Sequence, residues 1–295
     1  MSTDERALVF DCAGDEMLGV VTAPAAGATT TAIGVVVVVG GPQYRAGSHR
    51  QFVQLARALA ADGHSVMRFD VRGMGDSAGA QRDFKTLDDD IAAAIDALIV
   101  HDPSLQRIVL WGLCDGASAA LLYLQRRPDP RVKALCLLNP WVRSEATLAR
   151  AHVQHYYLRR LLQPAFWAKL IRGGVRWGAV SELAGKLVQT FRSADTAAAA
   201  GAGAQLPFQS AMAHALLGFD GAVLLLLSAD DYTAKEFTIH AQSDRIWCQA
   251  LARPTLQQVT LADADHTLSA ASARQLAETA IRNWLHRVSV QTPPG

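Results

Sequence analysis

The chain has 295 residues, of which 50% are hydrophobic, so it can form a full core and is too apolar for a disordered protein. Its net charge of +1 at pH 7 gives no overall attraction to nucleic acid or to a membrane. The four cysteines Cys12, Cys114, Cys136 and Cys248 form no C-x-x-C pair, which excludes a zinc knuckle and a thioredoxin-type motif.

Strands and helices alternate along most of the chain. A hairpin is predicted first, because two apolar segments flank the turn Ala13-Gly14-Asp15-Glu16. The continuous apolar run Ile33–Val39 is typical of a strand covered on both faces. The predicted strands are Leu8–Cys12, Leu18–Thr22, Ile33–Val39, Ser65–Phe69, Arg107–Trp111, Ala134–Leu138, Val223–Ser228 and Leu256–Leu261. The predicted helices are about Arg50–Ala61, Leu87–Val100, Ala117–Arg126, Lys235–Ala250 and Ser269–His286. This alternation predicts an α/β fold with a mostly parallel central sheet and helices on both faces.

The segment from residue 140 to residue 220 interrupts the alternation. Its pattern is mostly helical, it is rich in Trp, Tyr and Arg, and it contains the low-complexity stretch Ala194–Ala204. An insertion of this kind between two strands predicts a helical cap or lid, and the alternative is that the segment pads the core. The predicted organisation is a core made of residues 1–139 and 221–295, with a cap or lid insertion at residues 140–220.

The strongest chemical motif is Gly112-Leu113-Cys114-Asp115-Gly116, which lies between a predicted strand and a predicted helix. This order is typical of a nucleophile elbow, in which glycines flank the reactive residue because larger side chains would collide in the tight turn. The turn exposes the Cys114 sulfur at the N-terminus of a helix, where the helix dipole favours the thiolate. We therefore predict that Cys114 is a nucleophile. The alternative is a buried structural cysteine between two incidental glycines.

An elbow nucleophile needs a base, and an acid that orients the base, later in the chain. Strand Val223–Ser228 is followed by Asp230 and Asp231, and the last predicted strand is followed by a loop that contains His266. Parallel sheets place their chemistry at the carboxyl ends of the strands, so these side chains are expected near Cys114. Spacing from the strand end favours Asp231 as the acid, and Asp230 is the alternative.

These motifs together resemble the α/β-hydrolase superfamily over nearly the whole chain. Residues 69–77 (Phe-Asp-Val-Arg-Gly-Met-Gly-Asp-Ser) are similar to the superfamily's D-x-R-G-x-G-x-S turn. Gly40-Gly41-Pro42 is similar to the HGGP oxyanion loop, with Val39 at the position of the histidine. The segment Gly40–Arg50, taken with the elbow, further resembles the exosortase A system-associated hydrolase 1 group, which is found with bacterial exopolysaccharide genes. The resemblance implies the α/β-hydrolase fold and a hydrolase in exopolysaccharide metabolism.

The mechanism that these parts imply is acyl transfer to a cysteine. His266 takes the proton of Cys114, and Asp231 fixes the imidazole tautomer and stabilises its cation. The thiolate attacks an ester or thioester carbonyl and forms an acyl-enzyme, which water then releases. We expect no cofactor and no metal in this reaction.

Backbone N–H groups are expected to bind the oxyanion of this reaction. The predicted donors are Asp115 and Gly41, with Gln43 as a further candidate because Pro42 has no N–H to offer. The side chain of Asp115 either orients substrate or is only a favourable carboxylate at a helix N-terminus. Two further groups are expected to be structural: Asp70, Arg72 and Asp76, which pin the turn after their strand, and Cys12, Cys136 and Cys248, which lie in the core.

The predicted lid is basic. Between Trp141 and Asp195 nine basic residues oppose three acidic ones, which gives a net charge of +6 in a protein that is nearly neutral. The basic residues are Arg143, Arg150, Arg159, Arg160, Lys169, Arg172, Arg176, Lys186 and Arg192. A basic, aromatic lid suits an anionic substrate, such as an acyl carrier or a lipid-linked phosphate, or peripheral contact with an anionic membrane. The alternative is a solvated helix face over an apolar underside.

Two other functions remain open at this point. Polyhydroxyalkanoate synthases also use G-x-C-x-G with Asp and His, so an acyltransferase is one alternative, although this chain lacks their long N-terminal region. A catalytically idle binding protein on a hydrolase scaffold is the other. We expect a cytoplasmic protein that acts on a small-molecule or lipid-linked acyl substrate and binds no nucleic acid, because no signal peptide precedes it and its apolar runs are strand-sized. The sequence carries no signal for the oligomeric state.

Overall fold

The structure is a computed structural model that describes residues 4–41, 43–143 and 206–290, and one eight-stranded sheet forms the centre of this part of the chain. Its strands are β1 (Glu5–Cys12), β2 (Asp15–Thr22), β3 (Ile33–Val38), β4 (Ser65–Phe69), β5 (Arg107–Leu113), β6 (Val132–Leu138), β7 (Ala222–Ser228) and β8 (Leu256–Leu261). They lie in the order β1-β2-β4-β3-β5-β6-β7-β8. Strands β3 to β8 are parallel, and the β1–β2 and β2–β4 pairs are antiparallel. The predicted mostly parallel sheet is confirmed.

Helices cover both faces of this sheet. Those in the described residues are α1 (Gln51–Ala61), α2 (Asp88–His101), α3 (Asp115–Arg126), α4 (Phe208–Gly218), α5 (Tyr232–Ser243), α6 (Arg245–Leu251) and α7 (Ala271–Val290). Helices α2, α3, α4, α5 and α6 pack into a hydrophobic cluster on one face, and α1 and α7 pack into a second cluster on the other. Because strand β3 lies between β4 and β5 under both layers, all six of its residues are buried.

Two differences from the sequence prediction concern helices. The single helix predicted over Lys235–Ala250 is two helices, because Asp244 adopts an extended backbone and its side chain accepts from the N–H groups of Ile246 and Trp247 at the start of α6. Helix α4 lies within residues 140–220, the range predicted as an insertion. It contacts α3 and α6 and places Met212 and Leu216 in the core. Residues 1–143 and 208–295 accordingly group into one compact unit.

The rest of the predicted insertion, residues 144–205, lies outside the described residues, and so do eight of its nine basic side chains and its low-complexity stretch. In the described ranges, no helix is long and apolar enough to cross a membrane. The carboxyl ends of β3, β5, β7 and β8 carry the loops that contain the predicted site residues.

Candidate active site

The elbow joins strand β5 to helix α3 at Cys114. This residue has φ 59° and ψ −124°, in a region that side-chain-bearing residues rarely adopt, and α3 begins at the next residue. A Cβ atom on Gly112 would lie 2.5 Å from the backbone nitrogen of Ala117, and one on Gly116 would collide with the carbonyl oxygen of Val38. The tight turn therefore requires both glycines. It places Cys114 at the N-terminus of α3, as the motif predicts, and the residue is half-buried rather than exposed there.

The loop after β7 brings Asp231, rather than Asp230, to the predicted base. Nδ1 of His266 lies 2.9 Å from Oδ2 of Asp231. Asp231 is buried and also caps helix α5, since its carboxylate accepts from the backbone N–H groups of Thr233 at 3.1 Å and Ala234 at 3.2 Å. The side chain of Asp230 is exposed, and its backbone N–H donates to the carbonyl of Ala264. Because the cap of α5 holds the Asp231 carboxylate in place, Asp231 rather than Asp230 faces the imidazole of His266.

His266 links the acid to the nucleophile. Hydrogen bonding to Asp231 and then to Cys114 raises the pKa of His266 to about 10, against the opposing effect of burial. Burial by itself would raise the pKa of Asp231, but its hydrogen bonds with His266 and two backbone N–H groups outweigh burial, and the pKa is lowered. Together these shifts favour a protonated His266 between the Asp231 carboxylate and the Cys114 thiolate once Cys114 has lost its proton.

A buried side-chain pair that the sequence prediction missed joins the ends of β6 and β7. Asn139 Nδ2 donates to Ser228 Oγ at 3.0 Å, and the N–H of Ser228 donates to Asn139 Oδ1 at 2.8 Å. Both residues are buried, and Asn139 has a φ of 48°. Ser228 lies three residues before Asp231, so this pair anchors the loop that carries the acid. The sequence did contain one signal for this pair, because Asn139 is a polar residue directly after the buried strand β6.

The predicted oxyanion loop follows β3. Gly41 has a φ of 60°, which an L-residue rarely adopts. The carboxylate of Asp115 lies against this loop, since a Cβ atom on Gly41 would lie 3.6 Å and 3.7 Å from its two oxygens. Burial raises the pKa of Asp115, while the backbone N–H groups of Gly41, Asp115 and Gly116 and the charge of His266 oppose the shift. Two of these N–H groups are the predicted oxyanion donors.

Gln43 and Arg45 continue the oxyanion loop. The side-chain oxygen of Gln43 is buried without a hydrogen-bond partner in the part of the chain that the structure describes. Arg45, which the sequence prediction did not single out, donates through its backbone N–H to Asp70 Oδ1 at 2.7 Å and through its guanidinium to both Asp70 and Asp76. The carboxylate of Asp70 is fully buried, so this network ties the oxyanion loop to the turn after β4.

The structure also shows where the other residues lie that the sequence predicts to be structural. Arg72 pairs with the buried Asp90 at 2.8 Å, which holds the turn after β4 against α2. Cys12 and Cys136 are buried, as predicted, and burial raises the pKa of each thiol, that of Cys12 to about 11. The prediction for Cys248 was wrong: this residue is exposed on α6, because it lies on the side of that short helix opposite to the buried Trp247 and Ala250.

Over residues 4–41, 43–143 and 206–290, no group of three or more His, Cys, Asp or Glu side chains could hold a metal ion. At the elbow the structure brings together a thiol, an imidazole and a carboxylate, next to backbone N–H groups of the loop after β3 and of α3.

Comparisons with known proteins identify a family and agree with the fold. The family model described as Hydrolase_4 (serine aminopeptidase, S33) matches residues 30–269. No curated protein sequence matches the chain. The esterase PF2001 of Pyrococcus furiosus is similar in structure, with a TM-score of 0.63 and 14% identity over 97% of this chain and 91% of that one.

Two further solved structures are similar. Est1E of Butyrivibrio proteoclasticus, solved with ferulic acid, has a TM-score of 0.60 and 14% identity over 97% of this chain and 100% of that one. XC6422 of Xanthomonas campestris, described as an a/b serine hydrolase without a lid, has a TM-score of 0.59 and 16% identity over 99% of each chain. At these identities the likeness shows the fold, which is the one that the sequence predicts.

Proposed function

The chain belongs to the serine aminopeptidase S33 family of α/β-hydrolases, and from this premise we propose that it cleaves an ester or thioester through an acyl-enzyme on Cys114. The observation that carries the proposal is the alignment of three groups: His266 Nδ1 lies 2.9 Å from Asp231 Oδ2, and the side chain of Cys114 is close enough to raise the pKa of His266. The family is named for a serine enzyme, whereas a cysteine occupies the elbow here. The esterases among the structurally similar proteins support an ester as the bond that is cleaved.

The proposed reaction begins with transfer of the Cys114 proton to Nε2 of His266. The Sγ atom then forms a bond to the acyl carbon, and the electron pair of the carbonyl moves to oxygen. When the tetrahedral intermediate collapses, the bond from the acyl carbon to the leaving oxygen or sulfur breaks, and the imidazolium proton goes to the leaving group. Water, deprotonated by the same imidazole, then attacks the acyl carbon of the thioester. When this second intermediate collapses, the bond from the acyl carbon to Sγ breaks, the carboxylic acid leaves, and the imidazolium proton returns to Sγ.

Asp231 has two tasks in this scheme. Its hydrogen bond to Nδ1 keeps the other ring nitrogen free for the proton of Cys114, and its charge stabilises the imidazolium. The N–H groups of Asp115 and Gly41 are the donors that the proposal assigns to the oxyanion. Removal of one such donor typically lowers the rate by about 10²–10³-fold.

The most direct test is intact-mass detection of an acyl adduct after the protein is mixed with p-nitrophenyl esters, acyl thioesters and an aminoacyl p-nitroanilide. We expect an adduct on Cys114 with esters or thioesters, and no adduct in the Cys114→Ala variant. An adduct with the anilide alone would favour a peptidase over the proposed activity. A high yield of transesterified product with an added alcohol would favour the acyltransferase alternative, and no adduct in any reaction would favour a binding protein.

The charge of the predicted insertion bears on the chemistry of the acyl donor. We propose that the basic insertion attracts an anionic acyl donor, such as a lipid-linked or carrier-bound one, in bacterial exopolysaccharide metabolism in the cytoplasm. The exosortase-associated resemblance and the +6 charge of this segment support the proposal. Replacing Arg159, Arg160 and Lys169 by Gln should lower kcat/KM for an anionic acyl thioester and leave a short neutral ester nearly unaffected. Equal losses for both substrates would contradict electrostatic attraction.

A further inference from the structure

The side chain of Asp115 lies where the proposed reaction needs an empty space. Its carboxylate is close enough to the N–H groups of Gly41, Asp115 and Gly116 for them to lower its pKa, and these groups belong to two different elements, the loop after β3 and the first turn of α3. A Cβ atom on Gly41 would lie 3.6 Å and 3.7 Å from the two carboxylate oxygens. On Gly40 such an atom would collide with Oδ1 of Asp115. The loop is thus packed directly against this carboxylate.

Two of these three N–H groups are the donors that the proposed function assigns to the substrate oxyanion. A carboxylate oxygen of the protein therefore lies beside these donors before substrate arrives, where an oxyanion would accept charge-assisted hydrogen bonds. We propose that the Asp115 carboxylate is an internal ligand of the oxyanion hole, which must leave before an acyl carbonyl can bind there. This inference rests on the proposed function and names how the same site is regulated.

A helix-capping role alone does not account for this position. An acidic residue in the first turn of a helix is favoured by the helix dipole and can accept from N–H groups of that turn. Those groups are available to Asp115 within α3, at its own residue and at Gly116. The Gly41 N–H belongs to a separate loop that lies 74 positions earlier in the sequence. Because the Asp115 carboxylate lies against Gly40 and Gly41, it fills the gap between loop and helix, which is the space for the oxyanion.

The Asp115 carboxylate should therefore lower the rate of the acylation step. An oxyanion that forms while the carboxylate stays in place has no free donor and lies next to a like charge, so the side chain must rotate away or take up a proton. Alkylation of the thiolate by iodoacetamide forms no oxyanion and carries no such cost. The ratio of the acylation rate to the alkylation rate therefore isolates the effect of Asp115 from any change in the nucleophile or in His266.

The experiment compares the parent with Asp115→Ala, which empties the hole, and with Asp115→Asn, which keeps the shape and can still accept from the same N–H groups without a charge. Asp230→Ala is the matched control, since it removes a carboxylate near the site that is exposed and lies outside the oxyanion hole. Acylation is followed as the p-nitrophenolate burst from p-nitrophenyl acetate, and alkylation as iodoacetamide labelling of Cys114 by peptide mass. Thermal unfolding shows whether each variant is folded.

We expect the ratio of acylation to alkylation to rise about 10-fold or more in Asp115→Ala, to rise less in Asp115→Asn, and to stay within about 2-fold in Asp230→Ala. A ratio that is unchanged or lower in a folded Asp115→Ala protein would overturn the inference, because the carboxylate would then support the loop instead of competing with substrate. A ratio of acylation to alkylation in Asp115→Asn that equals or exceeds the ratio in Asp115→Ala would also overturn the inference. If alkylation occurs but no variant gives a burst, the proposed function itself fails, and the inference with it.

Discussion

Asp231→Asn is the substitution that most directly tests the proposed catalytic contacts. The carboxylate accepts from Thr233 N, Ala234 N and His266 Nδ1, at 3.1, 3.2 and 2.9 Å. Asparagine has a single acceptor oxygen, which the two N–H groups of α5 would claim, so the amide NH₂ turns toward the imidazole. Nδ1 must then accept a hydrogen bond, and the ring proton moves to the nitrogen that faces Cys114. The imidazole in this tautomer cannot take the proton of the thiol.

The expected loss is large for activity and modest for stability. Changing the acid of such a triad to an amide lowers kcat by about 10⁴-fold in a well-studied serine protease, which corresponds to about 5 kcal/mol in the transition state. Because Asn is as good an N-cap as Asp, the cap of α5 remains. The lost charged hydrogen bond to His266, whose side chain is 33% exposed, lowers the free energy of unfolding by about 1–2 kcal/mol.

Asp230→Asn is the matched control, since it makes the same chemical change one residue away on an exposed side chain. The contact of Asp230 with Ala264 uses its backbone N–H and survives the substitution. We expect its turnover of a p-nitrophenyl ester to stay within about 2-fold of the parent and its unfolding free energy within about 0.5 kcal/mol. Equal losses in the two variants, or a larger loss in Asp230→Asn, would refute the assignment of Asp231 as the acid.

Three further predictions concern the nucleophile and the base. In a Cys248→Ser background, which removes the exposed thiol, iodoacetamide should label Cys114 at least about 10-fold faster than the two buried cysteines, and comparable labelling of all three would contradict the elbow. Cys114→Ser should fold normally and lose at least about 10²-fold in turnover, since a hydroxyl is far less ionised than a thiol, whereas full activity would mean that thiolate chemistry is not used. Because the pKa of His266 is raised to about 10, the stability that its charged form contributes is fully present below its unfolded pKa of ~6.5 and is lost as pH rises through 10. The difference in unfolding free energy between the parent and His266→Gln should therefore shrink between pH 6.5 and 10, and a constant difference would contradict the raised pKa.

Features that depend on local patterns could be predicted from the sequence. The central strand β3 follows from an unbroken apolar run, because only a strand covered on both faces tolerates one. The elbow follows from glycines on either side of Cys114 after a strand. The choice of Asp231 over Asp230 follows from counting residues beyond the strand end. In each case the deciding interaction lies within a few residues along the chain.

Features that depend on distant partners could not be predicted in this way. Helix α4 has the composition of a core helix, but only its packing on α3 and α6 separates it from the insertion. Asn139 and Ser228 are 89 positions apart, so no local pattern pairs them. The break at Asp244 did have a local signal, an Asp just before an apolar turn. It was missed because the amphipathic pattern continues through it.

Cys114 and Asp115 are adjacent, and a cysteine nucleophile is compatible with a carboxylate that lies in the oxyanion hole. A serine nucleophile becomes an alkoxide only as it attacks, so its activation and the stabilisation of the oxyanion occur in one step and an occupied hole would slow both. A cysteine can pass its proton to a neighbouring imidazole before it attacks, so a cysteine enzyme separates the two steps. The elbow cysteine can thus stay activated while the neighbouring carboxylate holds the hole closed. We infer that the cysteine is what makes a carboxylate at position 115 tolerable, and that Asp115→Ala should therefore help a Cys114→Ser variant by a larger factor than it helps the parent.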